Sequence, residues 1–230
     1  MNPSTPFSLG GDRKQKFNCI HAENGIDQID RSIKKFDMPI LIMNGGNYVV
    51  KGGYWDGRIA FCPVENASEG KFELKSHQTT VSAMACNTKE SVMITGAKSG
   101  EVIVWRNKDF EASSDNQMQS PQSPSKHQPW YCFKKLNDHE RQVSSIFISE
   151  EMCLFITSSF DGTANLYNLH SIKLIRSFRH PTLAPIYSVL LAQNPLAICA
   201  FFSREDNLWN SFSINGSHLT DLSRLHGQEK

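Results

Sequence analysis

The chain has 230 residues, with 24 Lys and Arg against 23 Asp and Glu, and a formal net charge of +1 at pH 7. That length buries one good core or forms two small domains. Balanced charge with no Lys/Arg block recurring along a face leaves phosphate-backbone binding without an electrostatic basis, so nucleic acid is excluded as a partner.

Residues 1–16 are polar and rich in Gly, Pro and Ser, which predicts a loop or an arm. In residues 17–37, Ile26, Ile29, Ile33 and Phe36 make a helical stripe, with Asp27 and Asp30 early and Lys34 and Lys35 late. A short N-terminal arm or helix over 1–37 is expected. From Met38 the pattern changes to short alternating runs: Pro39–Met43, Tyr48–Val50, a turn at Trp55-Asp56-Gly57, Arg58–Cys62 and Phe72–Leu74. Residues 77–105, HQTTVSAMACNTKESVMITGAKSGEVIVW, repeat that order. A polar stretch, 107–129, then separates the third run from Tyr131–Lys134 and reads as a flexible insert. The next unit runs from His139 to Tyr167, with Ile172–Phe178 as its last strand. A final unit opens at His180 and holds Ile186–Leu191, Leu196–Phe202, a turn at 205–207 and Leu208–Phe212, with Asn215-Gly216 predicting a two-residue type I′ hairpin. The units occupy about 38–76, 77–135, 136–178 and 179–225, and 226–230 is a tail.

The second and third units align without a gap: His77 on His139, Val81 on Val143, Ile94 on Ile156, Gly100 on Gly162 and Trp105 on Tyr167. This grammar resembles the WD-repeat propellers, whose blade carries a His at its start, an Asp in the turn between its second and third strands, and a Trp closing the third. Those slots hold His77, Ser99 and Trp105 in one copy and His139, Asp161 and Tyr167 in the other. Asp56 takes the same slot in the first unit, and His180 opens the last. One copy lacks the Asp and the other the Trp, so an incomplete polar network is expected in both, with apolar packing carrying more of the stability. The expected fold is all-β: a partial β-propeller of about four to five four-stranded blades.

VVKGGYWDGRIAF, ITGAKSGEVIVW and NLWNSFSINGSHL resemble, in that order, the C-terminal propeller of BEACH-domain (neurobeachin-like) proteins. The resemblance implies a scaffold in vesicle trafficking or membrane-associated signalling, recruited to membranes through upstream domains or a partner. It also raises a question of closure, because WD-repeat rings of about seven blades need more chain than this. A partial gene product without independent function is therefore a third reading.

The six cysteines form no CxxC pair and several sit in apolar runs, so a reducing compartment is expected rather than a disulfide framework. No apolar signal core and no membrane-length apolar run are visible, which predicts a cytoplasmic chain, peripheral on endomembranes if recruited there. No metal-ligand spacing, nucleotide loop or activated nucleophile appears, and neither an enzyme nor a cofactor is expected. The leading expectation is a non-catalytic interaction scaffold that binds proteins or peptides through a face containing Lys51, Arg58, Lys98, His139, Arg141 and Phe160. The alternative is an adaptor switched by phosphorylation at Ser120 and Ser123, each followed by Pro in the insert.

Overall fold

Residues that are neighbours in sequence, such as Met93 and Ile94 or Ile103 and Val104, enter different hydrophobic cores. That is the period-2 alternation of a strand, and here both faces of the strand are covered. The computed structural model describes residues 38–65, 70–110, 129–192, 198–204 and 208–219. The chain divides into two compact units, Met1–Lys35 and Phe36–Lys230. The first unit, the expected arm or helix, most of the insert with Ser120 and Ser123, the turn at 205–207 and the tail lie outside the described residues.

Within the second unit the strands form four antiparallel four-stranded meanders. The first holds β1 (Ile40–Met43), β2 (Tyr48–Lys51), β3 (Arg58–Pro63) and β4 (Phe72–Lys75). The second holds β5 (Val81–Cys86), β6 (Val92–Ala97), β7 (Val102–Asn107) and β8 (Trp130–Leu136). β9 (Val143–Ser149), β10 (Leu154–Ser159), β11 (Thr163–Asn168) and β12 (Leu174–Arg179) make the third. β13 (Ile186–Ala192), β14 (Ile198–Ser203), β15 (Leu208–Ser213) and β16 (His218–Leu219) make the fourth. The fold is an all-β propeller of four described blades.

The cores lie between blades. Val50, Ile59 and Leu74 of the first blade meet Val81, Met93 and Trp105 of the second. Ile94 and Val104 of the second meet Val143, Phe155 and Tyr167 of the third, and Leu166 and Phe178 of the third meet Ile186, Val189 and Phe201 of the fourth. Full burial of one such side chain contributes roughly 1.5–3 kcal/mol. A slip of one residue in β6 would exchange Met93 and Ile94 between cores, so register is strongly specified. The outer strands are the exposed ones: five of six residues of β12 are exposed, which is why they tolerate Arg and Lys. All five described cysteines are free thiols, and burial pushes Cys86 and Cys199 up to about 12.

The last hairpin differs from expectation. Of Asn215 and Gly216 only Gly216 takes a positive φ, at 89°. Gly216 N–H donates to Ser213 O at 2.8 Å, and Ser213 N–H donates to Ser217 O at 2.9 Å. That is a three-residue loop, a turn followed by one left-handed glycine, and not the type I′ pair. The glycine is required because the chain must turn left-handed at one position while the strands stay in register.

Candidate functional site

The second, third and fourth blades begin on a leading loop, which arrives from the outer strand of the blade before, and the first three reverse at a middle turn between their second and third strands. The two features of adjacent blades touch. A Cβ on Gly57 would lie 2.4 Å from His77 O, and one on Gly100 would lie 2.2 Å from His139 O. One on Gly162 would lie 2.8 Å from the Leu183 backbone. Each middle turn is thus seated on the next leading loop, and the two kinds of loop form one continuous face.

Polar networks beneath this face hold it in place. In the second blade the carboxylate missing from position 99 is supplied two residues later. His77 Nδ1–H donates to Glu101 Oε2 at 2.7 Å, and His77 Nε2 lies 2.7 Å from Thr95 Oγ1. Trp105 Nε1–H donates to the same Thr95 oxygen at 2.8 Å. With Thr95 O–H donating to Nε2, every donor of a neutral imidazole chain is used. Burial pulls the His77 imidazole below its ordinary value and Glu101 opposes this only in part, which agrees with a neutral ring. The network expected to be incomplete is complete. In the third blade Asp161 Oδ2 lies 3.2 Å from His139 Nδ1, and His139 Nε2 lies 2.8 Å from Thr157 Oγ1. Burial would raise the Asp161 carboxyl, but hydrogen bonds from His139, Thr163 and the Glu140 N–H hold it far below the usual carboxylate range. Tyr167, in the Trp slot, donates its hydroxyl to Asp138 at 3.0 Å. The two blades exchange positions: hydroxyl at 99 and carboxylate at 101, against carboxylate at 161 and hydroxyl at 163. His180 of the fourth blade accepts from Thr182 N–H at 3.3 Å.

Of the residues expected on the face, Arg141 and Phe160 lie on loops tied to each other, and Lys98 lies in the turn whose Gly100 is seated against the loop carrying Arg141. Lys98 and Arg141 are exposed. Phe160 N–H donates to Gln142 O at 3.0 Å and Ser159 Oγ–H to Arg141 O at 3.0 Å, which ties the middle turn to the loop carrying Arg141. Arg58 is spent locally: its guanidinium lies 4.4 Å from the Tyr54 ring centre and 3.5 Å from Glu73, with Asp56 at 3.7 Å. Lys51 sits within β2, opposite Ile40 and Ala60, on the side away from the first core. His139 is 5% exposed and serves the network.

Three further residues belong to the face. Trp55, at the tip of the first middle turn, is 86% exposed. The Tyr187 ring lies 4.8 Å from Phe160, and the Arg204 guanidinium lies 4.5 Å from the Tyr187 ring centre. Arg204 follows β14 as Lys98 follows β6 and Phe160 follows β10, so repeat logic could have found it. Tyr187 occupies the slot of Ser82 and Ser144. Those two hydroxyls donate to the backbone of the next blade, at Val143 O and Ile186 O. Among the described residues no group of His, Cys, Asp or Glu is placed to hold a metal ion. No described helix is long and apolar enough to cross a membrane.

Comparison with known proteins agrees with this architecture. The neurobeachin beta propeller domain matches residues 14–227. BEACH domain-containing protein B of Arabidopsis thaliana is 21% identical over 186 residues, which cover 75% of this chain and 7% of that protein. BEACH domain-containing protein lvsD of Dictyostelium discoideum is 27% identical over 103 residues, covering 45% of this chain and 3% of that one. The chain therefore corresponds to a small part of these relatives. The solved structure of U3-55K superposes with a TM-score of 0.59 at 13% identity, over 80% of this chain and 51% of that one, and shares the fold.

Proposed function

Because the chain belongs to the neurobeachin β-propeller family, we infer that it is a non-catalytic protein-interaction module whose docking surface is the face of leading loops and middle turns. One observation carries this reading: exposed Trp55 and Arg141 and the Phe160–Tyr187–Arg204 cluster share a face whose loops are locked together from beneath. Aromatic and Arg side chains are favoured anchors, and they cost least to bind when already positioned. The family resemblance extends the reading to scaffolding in vesicle trafficking or membrane-associated signalling, in a cytoplasmic setting, with membrane recruitment through other domains or a partner.

The test compares two sides of the blades. Trp55→Ala and Arg141→Glu alter the proposed face, whereas Lys89→Glu lies on the opposite loops, between β5 and β6. The tagged natural protein is purified from its own cells and its co-purifying proteins are quantified. The two face variants are expected to lose a common set of partners that Lys89→Glu retains. Equal retention by all three would place the docking surface elsewhere.

A further inference from the structure

The position immediately after the second strand is filled by Lys98, Phe160 and Arg204 in three consecutive blades, a cation, an aromatic and a cation. Asp56, Glu101 and Asp161 are engaged with Lys75, His77 and His139, at 3.7, 2.7 and 3.2 Å. Glu140 is exposed, but it neighbours Arg141 on the third leading loop. Lys98 is held by its backbone, which donates to Thr80 O at 2.9 Å, and the residue is exposed. Arg204 is oriented over the Tyr187 ring, which positions the guanidinium while leaving it exposed.

We propose that this row reads an extended segment of a partner protein with an apolar side chain flanked on each side by an acidic or phosphorylated residue. The inference rests on the interaction reading above and names its partner chemistry. Phe160 and Tyr187, tilted at 51° to each other, seat the apolar side chain, and Lys98 and Arg204 take the two anionic ends. Packed sheets stand about 10 Å apart, so the outer two slots are separated by about 20 Å. An extended chain advances about 3.3 Å per residue, which places the two acids roughly six residues apart with the apolar residue midway. Both ends are exposed, so the attraction is screened over about 8 Å at physiological ionic strength and binding weakens with added salt.

The experiment selects a displayed library of random nine-residue peptides on the purified protein and on Lys98→Gln/Arg204→Gln. These are exposed side chains, and circular dichroism and the urea midpoint confirm that the double variant is folded. Expected is enrichment of acid-x-x-apolar-x-x-acid peptides on the wild type and at least tenfold weaker binding of the selected peptides to the double variant. A synthetic peptide with its acids replaced by phosphoserine distinguishes a phosphorylated partner from an acidic one, and binding of either supports the proposal. Enrichment of basic peptides, equal binding by the double variant, or no enrichment overturns it. If the library yields nothing while Trp55→Ala and Arg141→Glu still lose their cellular partners, this inference fails and the interaction reading stands.

Discussion

Glu101→Ala isolates the network under the second blade. Glu101 is 15% exposed at its side chain and His77 is 0% exposed. The substitution leaves the buried Nδ1–H of His77 without its acceptor, which costs roughly 1–3 kcal/mol, and a hydrogen bond to a charged group lies in the upper part of that range. Loss of the 3.2 Å pairing with Lys135, 42% exposed, adds about 0–1 kcal/mol to this cost. In the other direction, removing the Glu101 carboxylate relieves its partial desolvation in the folded state. The net expectation is a loss of about 2 kcal/mol, which lowers the melting temperature by roughly 4–8 °C for a domain of this size. Urea unfolding followed by tryptophan fluorescence reads it, with Glu73→Ala, an exposed partner of Arg58, as a control expected to cost about 0–1 kcal/mol. A second variant tests the exchange of positions. Ser99→Asp with Glu101→Thr transplants the arrangement of Asp161 and Thr163, and should recover at least half of the loss. If Glu101→Ala unfolds at the wild-type midpoint, the network does not support the blade as argued.

Gly100→Ala drives a Cβ to 2.2 Å from His139 O at a φ of 94°, and soluble folded protein should fall sharply in expression assays; Gly216→Ala meets only the flexible Arg176 tip, and should cost about 1 kcal/mol in urea unfolding. Acid should destabilise the fold in two stages. The depressed His77 value means that the unfolded chain takes up a proton first, so stability is full above pH about 6.5 and declines below it. The depressed Asp161 value adds stability present above pH about 4 and lost as pH falls further, so urea midpoints should show both declines and His77→Gln should blunt the first. Replacing residues 111–128 by a short Gly/Ser linker should leave partner recruitment intact, as judged by co-purification; its loss would favour the phosphorylation adaptor built on Ser120 and Ser123.

Most of the fold was legible because the repeat is ungapped. His77 and His139, Gly100 and Gly162 keep one offset, and apolar alternation between them locates the strands. The network was misread for a physical reason: a Glu side chain is one methylene longer than Asp, so Glu101 reaches His77 Nδ1 from two residues further along. A pattern that asks for Asp at position 99 cannot see this. The Asn215-Gly216 turn was misassigned because that dipeptide suits several hairpin loops, and the choice among them is made by the register of β15 on β16. The face was half legible. Lys98, Arg141 and Phe160 follow from loop position alone. The contacts of Arg58 with Tyr54 and Glu73 could not be read from the chain, because only folding brings them together. Tyr187 was hidden inside a strand pattern, where an outward-facing aromatic at the rim of a blade looks like any core residue.

The most direct measurement is site-specific photo-crosslinking in cells. A benzoylphenylalanine is placed at position 160, on the proposed face, and separately at position 147, whose Phe is 36% exposed on β9 and lines, with Asn87 and Thr88 of the β5–β6 loop, a pocket on the opposite side. Discrete adducts with other proteins from position 160 alone, abolished by Arg141→Glu, are the expected result. Adducts from position 147 and none from position 160 would contradict the central claim that this propeller binds its partners through the leading loops and middle turns.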